Sequence, residues 1–257
     1  MTRNISNAIS EDDYYKLSSK YLWFLTLAYS MTLAISNWFN ARLVFIFHKT
    51  ISPGALIFPL TFLVADIITE VYGYKYMRKA IWAALLFNII FWGYGQLIIH
   101  LPSPAYSVDN AAFDKFLAVD GRVIAGSFIA YLISEPLNSF ILAKIKVWMK
   151  GEYMGIRFVA STVLAAGLDT LFFTFIAFYK SLGIDNLLVL GFNIWVFKVA
   201  IEILGLPISI RLAKFIKKKE EVDMYDTHTQ FNIFKLESKY QAGDNKYPPT
   251  QNSEGAL

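Results

Sequence analysis

Six ionisable side chains stand inside stretches that are otherwise apolar: Asp66, Glu70, Glu135, Asp169, Lys198 and Glu202. An ionisable side chain inside a bilayer costs a few kcal/mol or more, so it needs a partner, water or a ligand. The spacing of four residues in Asp66/Glu70 and in Lys198/Glu202 places both members of each pair on one helix face. These faces must point into a helix bundle or a wet cavity, because lipid cannot solvate them.

Five carboxyl groups against one lysine cannot all form ion pairs. The excess predicts a polar central site that binds a donor-rich or cationic solute, or that carries protons. A structural alternative stays open, in which Lys198 neutralises one carboxylate and the others, protonated or hydrogen-bonded, hold helices together. Asn138 and Asn37 add neutral polar groups near the same level, and Trp82 and Tyr72 could stack a flat ring or anchor a membrane interface.

Composition identifies the elements that must position these groups. The chain is 56% hydrophobic and only 17% charged, with a mean hydropathy of +0.42. A bilayer core needs about 20 apolar residues in helical form. Six segments meet that length: 21–40, 55–74, 80–99, 123–143, 158–179 and 187–210. We therefore predict an all-α integral membrane protein, a bundle of six transmembrane helices.

Basic residues predict the orientation of this bundle, since cytoplasmic loops carry the excess of Lys and Arg. Fifteen lie on one side, namely Arg3, Lys16, Lys20, Lys75, Arg78, Lys79, Lys144, Lys146, Lys150, Arg157, Arg211, Lys214, Lys217, Lys218 and Lys219. Five lie on the other, namely Arg42, Lys49, Lys115, Arg122 and Lys180. Both termini are accordingly expected in the cytoplasm, and Arg78 and Arg157 should fix topology or a gate there.

Three parts of the chain follow from this layout. Residues 1–20 form a cytoplasmic segment, residues 21–217 the six-helix domain, and residues 218–257 a polar cytoplasmic tail that we expect to be disordered. The pairs Thr61/Asp66 and Thr162/Asp169 suggest two inverted three-helix repeats. A short amphipathic turn is expected at residues 113–117, in the loop on the opposite side.

Several function classes have no support in the sequence. The chain has no cysteine, and its three histidines are far apart, so no metal-ligand spacing is present. Neither a glycine-rich phosphate loop nor a nucleophile–base pair occurs, so we expect neither an enzyme nor a cofactor. The basic residues lie between apolar segments rather than along one face, which argues against nucleic-acid binding.

The segment Phe58–Trp82, FPLTFLVADIITEVYGYKYMRKAIW, resembles the signature of the queuosine precursor transporter family, also called vitamin-uptake-transporter-like proteins. The matching positions are a Phe-Pro pair, Asp66 in mid-helix, Thr69 to Gly73 as Thr-Glu-Val-Tyr-Gly, and Arg78 before Ile-Trp. Weaker likeness extends over residues 21–217. Glu135 and Asn138 depart from the family's Gln and Asp, and a Gln near Ala166 is absent.

This resemblance implies a carrier that imports 7-cyano- or 7-aminomethyl-7-deazaguanine across the bacterial inner membrane by alternating access. The expected partners are a deazapurine and membrane lipid. The candidate residues for substrate binding or proton coupling are Asp66, Glu70, Glu135, Asn138, Asp169, Lys198 and Glu202. The supporting residues are Asn37, Thr69, Tyr72, Arg78, Trp82 and Arg157. Two alternatives stay open: a substrate-binding subunit of an ATP-driven uptake system, and an intramembrane enzyme. Energy coupling and oligomeric state also stay open.

Overall fold

The computed structural model describes residues 14–15, 19–39, 44–46, 49–51, 53–104, 106–107, 109–118 and 121–247. Eight α-helices occur in these ranges: α1 (Leu22–Trp38), α2 (Pro53–Ile57), α3 (Pro59–Tyr72), α4 (Tyr74–Ile99), α5 (Asn110–Leu117), α6 (Gly121–Trp148), α7 (Met154–Phe178) and α8 (Ile184–Glu220). The same ranges hold four short strands: β1 (Tyr14–Tyr15), β2 (Val44–Ile46), β3 (Lys49–Ile51) and β4 (Tyr240–Gln241). β1 pairs with β4 and β2 with β3, both antiparallel.

Five helical stretches are long and apolar enough to cross a membrane: Pro53–Tyr72, Tyr74–Ile99, Asn110–Trp148, Met154–Phe178 and Ile184–Glu220. Helix α1 has 17 residues, and its length of about 26 Å is close to the bilayer's hydrocarbon thickness of roughly 30 Å. The prediction of an all-α membrane bundle is therefore confirmed. The predicted turn at 113–117 falls within α5.

Helix α3 is the centre of the bundle. It contacts α1, α4, α6, α7 and α8, and its buried face includes Asp66, Thr69 and Glu70. Helix α8 by contrast exposes large apolar side chains along its outer face, as a helix in contact with lipid does: Leu188, Val189, Phe192, Val196, Ile203, Leu204 and Ile208. The polar residues of α3 are therefore shielded on every side by protein.

A sharp turn at Gly73 separates α3 from α4. Its φ of 84° lies in a region that glycine occupies without the strain a side chain would cause. A Cβ at this position would also overlap the Tyr240 ring. The turn therefore requires glycine both for its own backbone and for the close approach of the chain's C-terminal segment.

Residues 221–247, named here the tail, differ from the prediction of a disordered segment. Val222, Met224 and Tyr240 are buried, residues 242–244 form a 3-10 helix, and Met224 N donates to the Val71 carbonyl at 3.0 Å. The prediction is wrong for residues 222–247, because a few separated apolar side chains of this segment are buried against the bundle. A hydropathy average over a polar segment does not reveal such isolated contacts. Residues 248–257, like 1–13 and 16–18 of the N-terminal segment, lie outside the described residues.

The tail marks one end of the bundle, named here the basic end. Tyr225 of the tail packs on Gly151 in the α6–α7 connection, and Glu220 at the end of α8 accepts from the Tyr21 N–H at 2.7 Å. The start of α1, the α3–α4 turn, the α6–α7 connection and the end of α8 therefore meet at this end. This common position agrees with the predicted topology, in which all four share one side.

Candidate functional site

Three carboxyl groups and one amide meet where α3, α6 and α8 pack together. We name Asp66, Glu135, Glu202 and Asn138 the central acid cluster, and all four are 0% exposed. The Asn138 side-chain N–H donates to Asp66 Oδ1 at 2.6 Å. Asp66 Oδ2 and Asn138 Oδ1 receive no hydrogen bond from any described residue. The cluster thus combines one amide–carboxyl contact with two free acceptor atoms.

Glu202 and Asp66 lie beside each other, and neither oxygen of Glu202 has a hydrogen-bond partner among the described residues. An ionised carboxylate only accepts, so two carboxyl groups can hydrogen-bond to each other only if one of them carries a proton. Like charges at this distance in a protein interior also repel strongly. A proton on one of the two carboxyl groups would remove this repulsion and supply a donor.

Lys198 provides positive charge at the edge of this cluster. Its ammonium group forms an ion pair with Asp169 Oδ2, and Ser134 Oγ donates to Asp169 Oδ1 at 3.1 Å. The Lys198 nitrogen also lies 4.4 Å from the centre of the Phe58 ring. Both oxygens of Asp169 are consequently occupied, whereas those of Glu135 and Glu202 lack a cation bonded to them.

Glu70 lies one turn from Asp66 but belongs to a different charge network. Its Oε1 atom accepts from Arg157 Nη2 at 2.7 Å and from Lys217 Nζ at 2.6 Å, while Lys146 Nζ is 3.8 Å away. The sequence count set one lysine, Lys198, against five carboxyl groups, but Glu70 lies beside cations that this count did not include. Helix packing brings in three further cations from the ends of α6, α7 and α8.

The tail completes this network through Asp223, which sequence reasoning missed. Asp223 Oδ1 lies 2.6 Å from Lys146 Nζ and 2.7 Å from Lys217 Nζ. Burial alone would raise the pKa of Asp223, but the two ammonium groups outweigh it and hold the pKa below the usual value. We name Glu70, Lys146, Arg157, Lys217 and Asp223 the basic-end network.

Two of the predicted supporting residues hold the tail rather than the central acid cluster. The Arg78 guanidinium donates at 2.7 to 3.1 Å to three tail carbonyls, those of Gln230, Asn232 and Glu237. Trp82 Nε1 donates to the Ile233 carbonyl at 2.9 Å, and its ring packs against Phe234. The Trp82 ring therefore has a partner at the basic end, away from any place where it could stack on a ligand at Asp66.

The other supporting residues are spread over three places. Asn37 accepts from Ser127 Oγ at 2.7 Å, which links α1 to α6. Tyr72 lies beside Glu220 at the basic end. Thr69 is buried, and its hydroxyl has no hydrogen-bond partner among the described residues. The structure thus brings Asp66, Glu135, Asn138 and Glu202 together, with Asp169 and Lys198 beside them.

Among the described residues, no group of three or more His, Cys, Asp or Glu side chains is arranged to hold a metal ion. A bundle of membrane-length helices around buried carboxyl groups defines the chain as a multi-pass membrane protein with an occluded polar site. Such a site is unfavourable in a purely structural bundle, since each unpaired buried polar atom reduces stability.

Comparison with known proteins places this architecture in a family. The model of the family described as "Putative vitamin uptake transporter" matches residues 52–212, and the chain belongs to that family. The predicted family relationship is thereby confirmed. The match includes Asp66, Glu135, Asn138 and Glu202, whereas Asp223 and the rest of the tail lie beyond it.

Two curated relatives are similar over most of the chain. A protein of Bacillus subtilis (strain 168) named "Probable queuosine precursor transporter" is 25% identical over 211 residues, 80% of this chain and 90% of its own length. A protein of Escherichia coli (strain K12) named "Queuosine precursor transporter" is 27% identical over 177 residues, 68% of this chain and 75% of its own length. No solved structure matches the chain significantly.

Proposed function

We propose that this protein imports a queuosine precursor base, 7-cyano- or 7-aminomethyl-7-deazaguanine, across the bacterial inner membrane. The names of the two relatives support this substrate class. The observation that carries the proposal is the pair of free acceptors, Asp66 Oδ2 and Asn138 Oδ1, buried at the bundle centre.

The chemistry of these two acceptors suits a guanine-like edge. That edge presents adjacent N–H donors, which a carboxylate accepts in a bidentate manner. Substrate binding at Asp66 would give Oδ2 the donor that it lacks in the described structure. An aminomethyl substituent would bring a positive charge, which the carboxyl group of Glu202 would attract.

The proposed cycle is alternating access around this site. The central acid cluster is closed from both sides, as its zero exposure indicates, so each half-cycle must open one side. Glu70 of the basic-end network lies one turn from Asp66, so this network would be the gate on its side. The excess of basic residues assigns that side to the cytoplasm. The inverted relation of the two halves remains a prediction.

Uptake by a bacterium that lacks queuosine synthesis tests the substrate. Cells that express the chain should incorporate each precursor base into tRNA, and Asp66→Asn should abolish this at equal membrane abundance. Asp185→Asn is the matched control, because it makes the same chemical change at an exposed residue in the first turn of α8. Normal uptake by Asp66→Asn would contradict the site assignment.

A transport assay with the purified protein tests two alternatives. A substrate-binding subunit of an ATP-driven system would bind the base but would not move it when reconstituted alone in liposomes. An intramembrane enzyme would release an altered base. Movement of unaltered base by the chain alone would reject both.

A further inference from the structure

Glu135 has the most unusual surroundings of the buried carboxyl groups. It is 0% exposed on α6, and neither of its oxygens receives a hydrogen bond from any described residue. The Tyr29 and Thr61 hydroxyls lie next to it, but neither is a hydrogen-bond partner of its oxygens in the described structure. The direction in which these two hydroxyls donate therefore decides the state of Glu135.

The proton of Tyr29 is already used. Tyr131 donates its hydroxyl proton to the Ile81 carbonyl at 3.0 Å, and a carbonyl can only accept. Tyr29 donates to the Tyr131 hydroxyl at 2.9 Å, because Tyr131 has no second proton to offer. Towards Glu135, Tyr29 consequently presents only a lone pair.

Thr61 is in the same position. Its hydroxyl donates to the Phe58 carbonyl at 2.7 Å, so it too presents a lone pair to Glu135. An ionised Glu135 would face two acceptors with two unsatisfied oxygens, which is strongly unfavourable in a protein interior. A protonated Glu135 instead carries no charge, so its burial among acceptors costs far less. The absence of a donor and of a bonded cation among the described residues thus favours the protonated form of Glu135.

The charges around Glu135 lead to the same result. Lys198 is the cation that faces it from α8, and this ammonium group is bonded to Asp169 of α7. Asp66 of α3 and Glu202 of α8 are further acidic groups that face it. Negative charge on Glu135 would therefore meet more repulsion than attraction while the site is occluded.

We infer that Glu135 is the residue that carries the coupling proton, while Asp66 and Asn138 bind the substrate; this rests on the transport function proposed above. Glu135 takes one proton from water when the site is open outward, keeps it while the site is occluded, and releases it to water on the other side. Only its O–H bond forms and breaks. In the described structure no hydrogen bond joins Glu135 to Asp66 or Asn138, so the two tasks rest on separate side chains.

Assays in liposomes that contain the full chain measure substrate binding and proton coupling separately, with labelled 7-cyano-7-deazaguanine as the probe. One assay measures exchange of labelled for unlabelled base without a pH gradient. The other measures accumulation driven by acid on the side from which the base enters. One proton per substrate limits accumulation to about tenfold per pH unit. The variants are Glu135→Gln and the control Glu152→Gln, whose side chain is exposed between α6 and α7.

The wild type and Glu152→Gln should accumulate base about tenfold or more across a two-unit gradient. Glu135→Gln mimics the protonated acid, so it should exchange within about threefold of the wild-type rate and yet accumulate no base. Driven accumulation by Glu135→Gln would overturn the inference, and so would loss of exchange by folded Glu135→Gln. Wild-type exchange without pH-driven accumulation would overturn the inference alone. Absence of any exchange by the wild type would overturn the proposed function with it.

Tyr29→Phe provides a second readout in case Glu135→Gln fails to reach the membrane. If Tyr29 accepts from protonated Glu135, its hydroxyl stabilises the protonated form, and its loss should shift the midpoint of accumulation to lower pH. If Tyr29 instead donates to an ionised Glu135, the midpoint should shift to higher pH. A shift to higher pH, or none, would overturn the inference.

Discussion

Glu70→Gln should destabilise the protein measurably, because it removes one of two carboxylates that neutralise three cations. Arg157 and Lys217 both bond to Glu70 Oε1, at 2.7 and 2.6 Å. Loss of one partner from a buried ion pair costs about 3 to 5 kcal/mol. The glutamine oxygen can still accept from Arg157, and Asp223 still neutralises Lys217, so we expect the lower end, about 3 kcal/mol. For a chain of this size that lowers Tm by roughly 6 to 12 °C.

Thermal unfolding in detergent, followed by tryptophan fluorescence, measures this effect. Glu70→Gln combined with Lys217→Met removes one cation together with the carboxylate, so it should recover part of the lost Tm. Glu152→Gln is the control for the same substitution at an exposed site. A Tm for Glu70→Gln within about 1 °C of wild type would refute the reasoning, and so would a double variant less stable than Glu70→Gln.

Three further predictions concern the tail and the topology. Removing residues 226–257 should lower Tm and membrane abundance, because it removes the three carbonyl acceptors of Arg78 and uncovers side chains that the tail buries; unchanged values for both would contradict this. The pKa of Asp223 lies below its usual value, so its ion pairs stabilise the tail above about pH 4 and are lost as pH falls through that lowered pKa. Limited proteolysis should therefore cleave the tail at the same rate at pH 7 and pH 5. Faster cleavage at pH 5 would contradict the assignment. A reporter fused after Lys219 should read as cytoplasmic and one inserted at Val108 as periplasmic, and the opposite pattern would contradict the orientation.

The membrane helices could be predicted from sequence because the bilayer sets their length and composition. Asp66, Asn138 and Glu202 were recognisable for a related reason, since polar groups inside apolar segments stand out. The helix segments that carry them were predicted closely, although their contacts were not. Asp66 and Asn138 are 72 residues apart, and no local pattern encodes that pairing.

The partners of Glu70 could not be predicted, because they come from distant helix ends. Arg157 is 87 residues away and Lys217 is 147 residues away. Arg157 had been expected to support the site or to fix topology or a gate, and Lys217 had been counted only as a topology signal. A similar limit applies to the tail. Its composition is polar, and its order depends in part on backbone carbonyl groups that bind Arg78. A pattern of side chains in the sequence does not predict backbone contacts of this kind.

The tail is part of the packed structure rather than a detachable polar segment. The tail contributes Asp223 to the basic-end network and covers Arg78 and Tyr74, whose hydroxyl donates to the Phe231 carbonyl at 3.3 Å. Its removal therefore exposes groups that are buried in the described structure. The family match ends at residue 212, so this tail is a feature of the chain that the family relationship alone does not predict.

Direct binding of 7-cyano-7-deazaguanine to the purified protein, measured by titration calorimetry, tests the central claim most directly. The account predicts saturable binding to the wild type and to Asp185→Asn. It also predicts affinity weaker by about 10- to 100-fold for Asp66→Asn, as expected when one charge-assisted contact of about 1.5 to 3 kcal/mol is lost. Equal affinity for Asp66→Asn and the wild type, or no binding to the wild type, would contradict it.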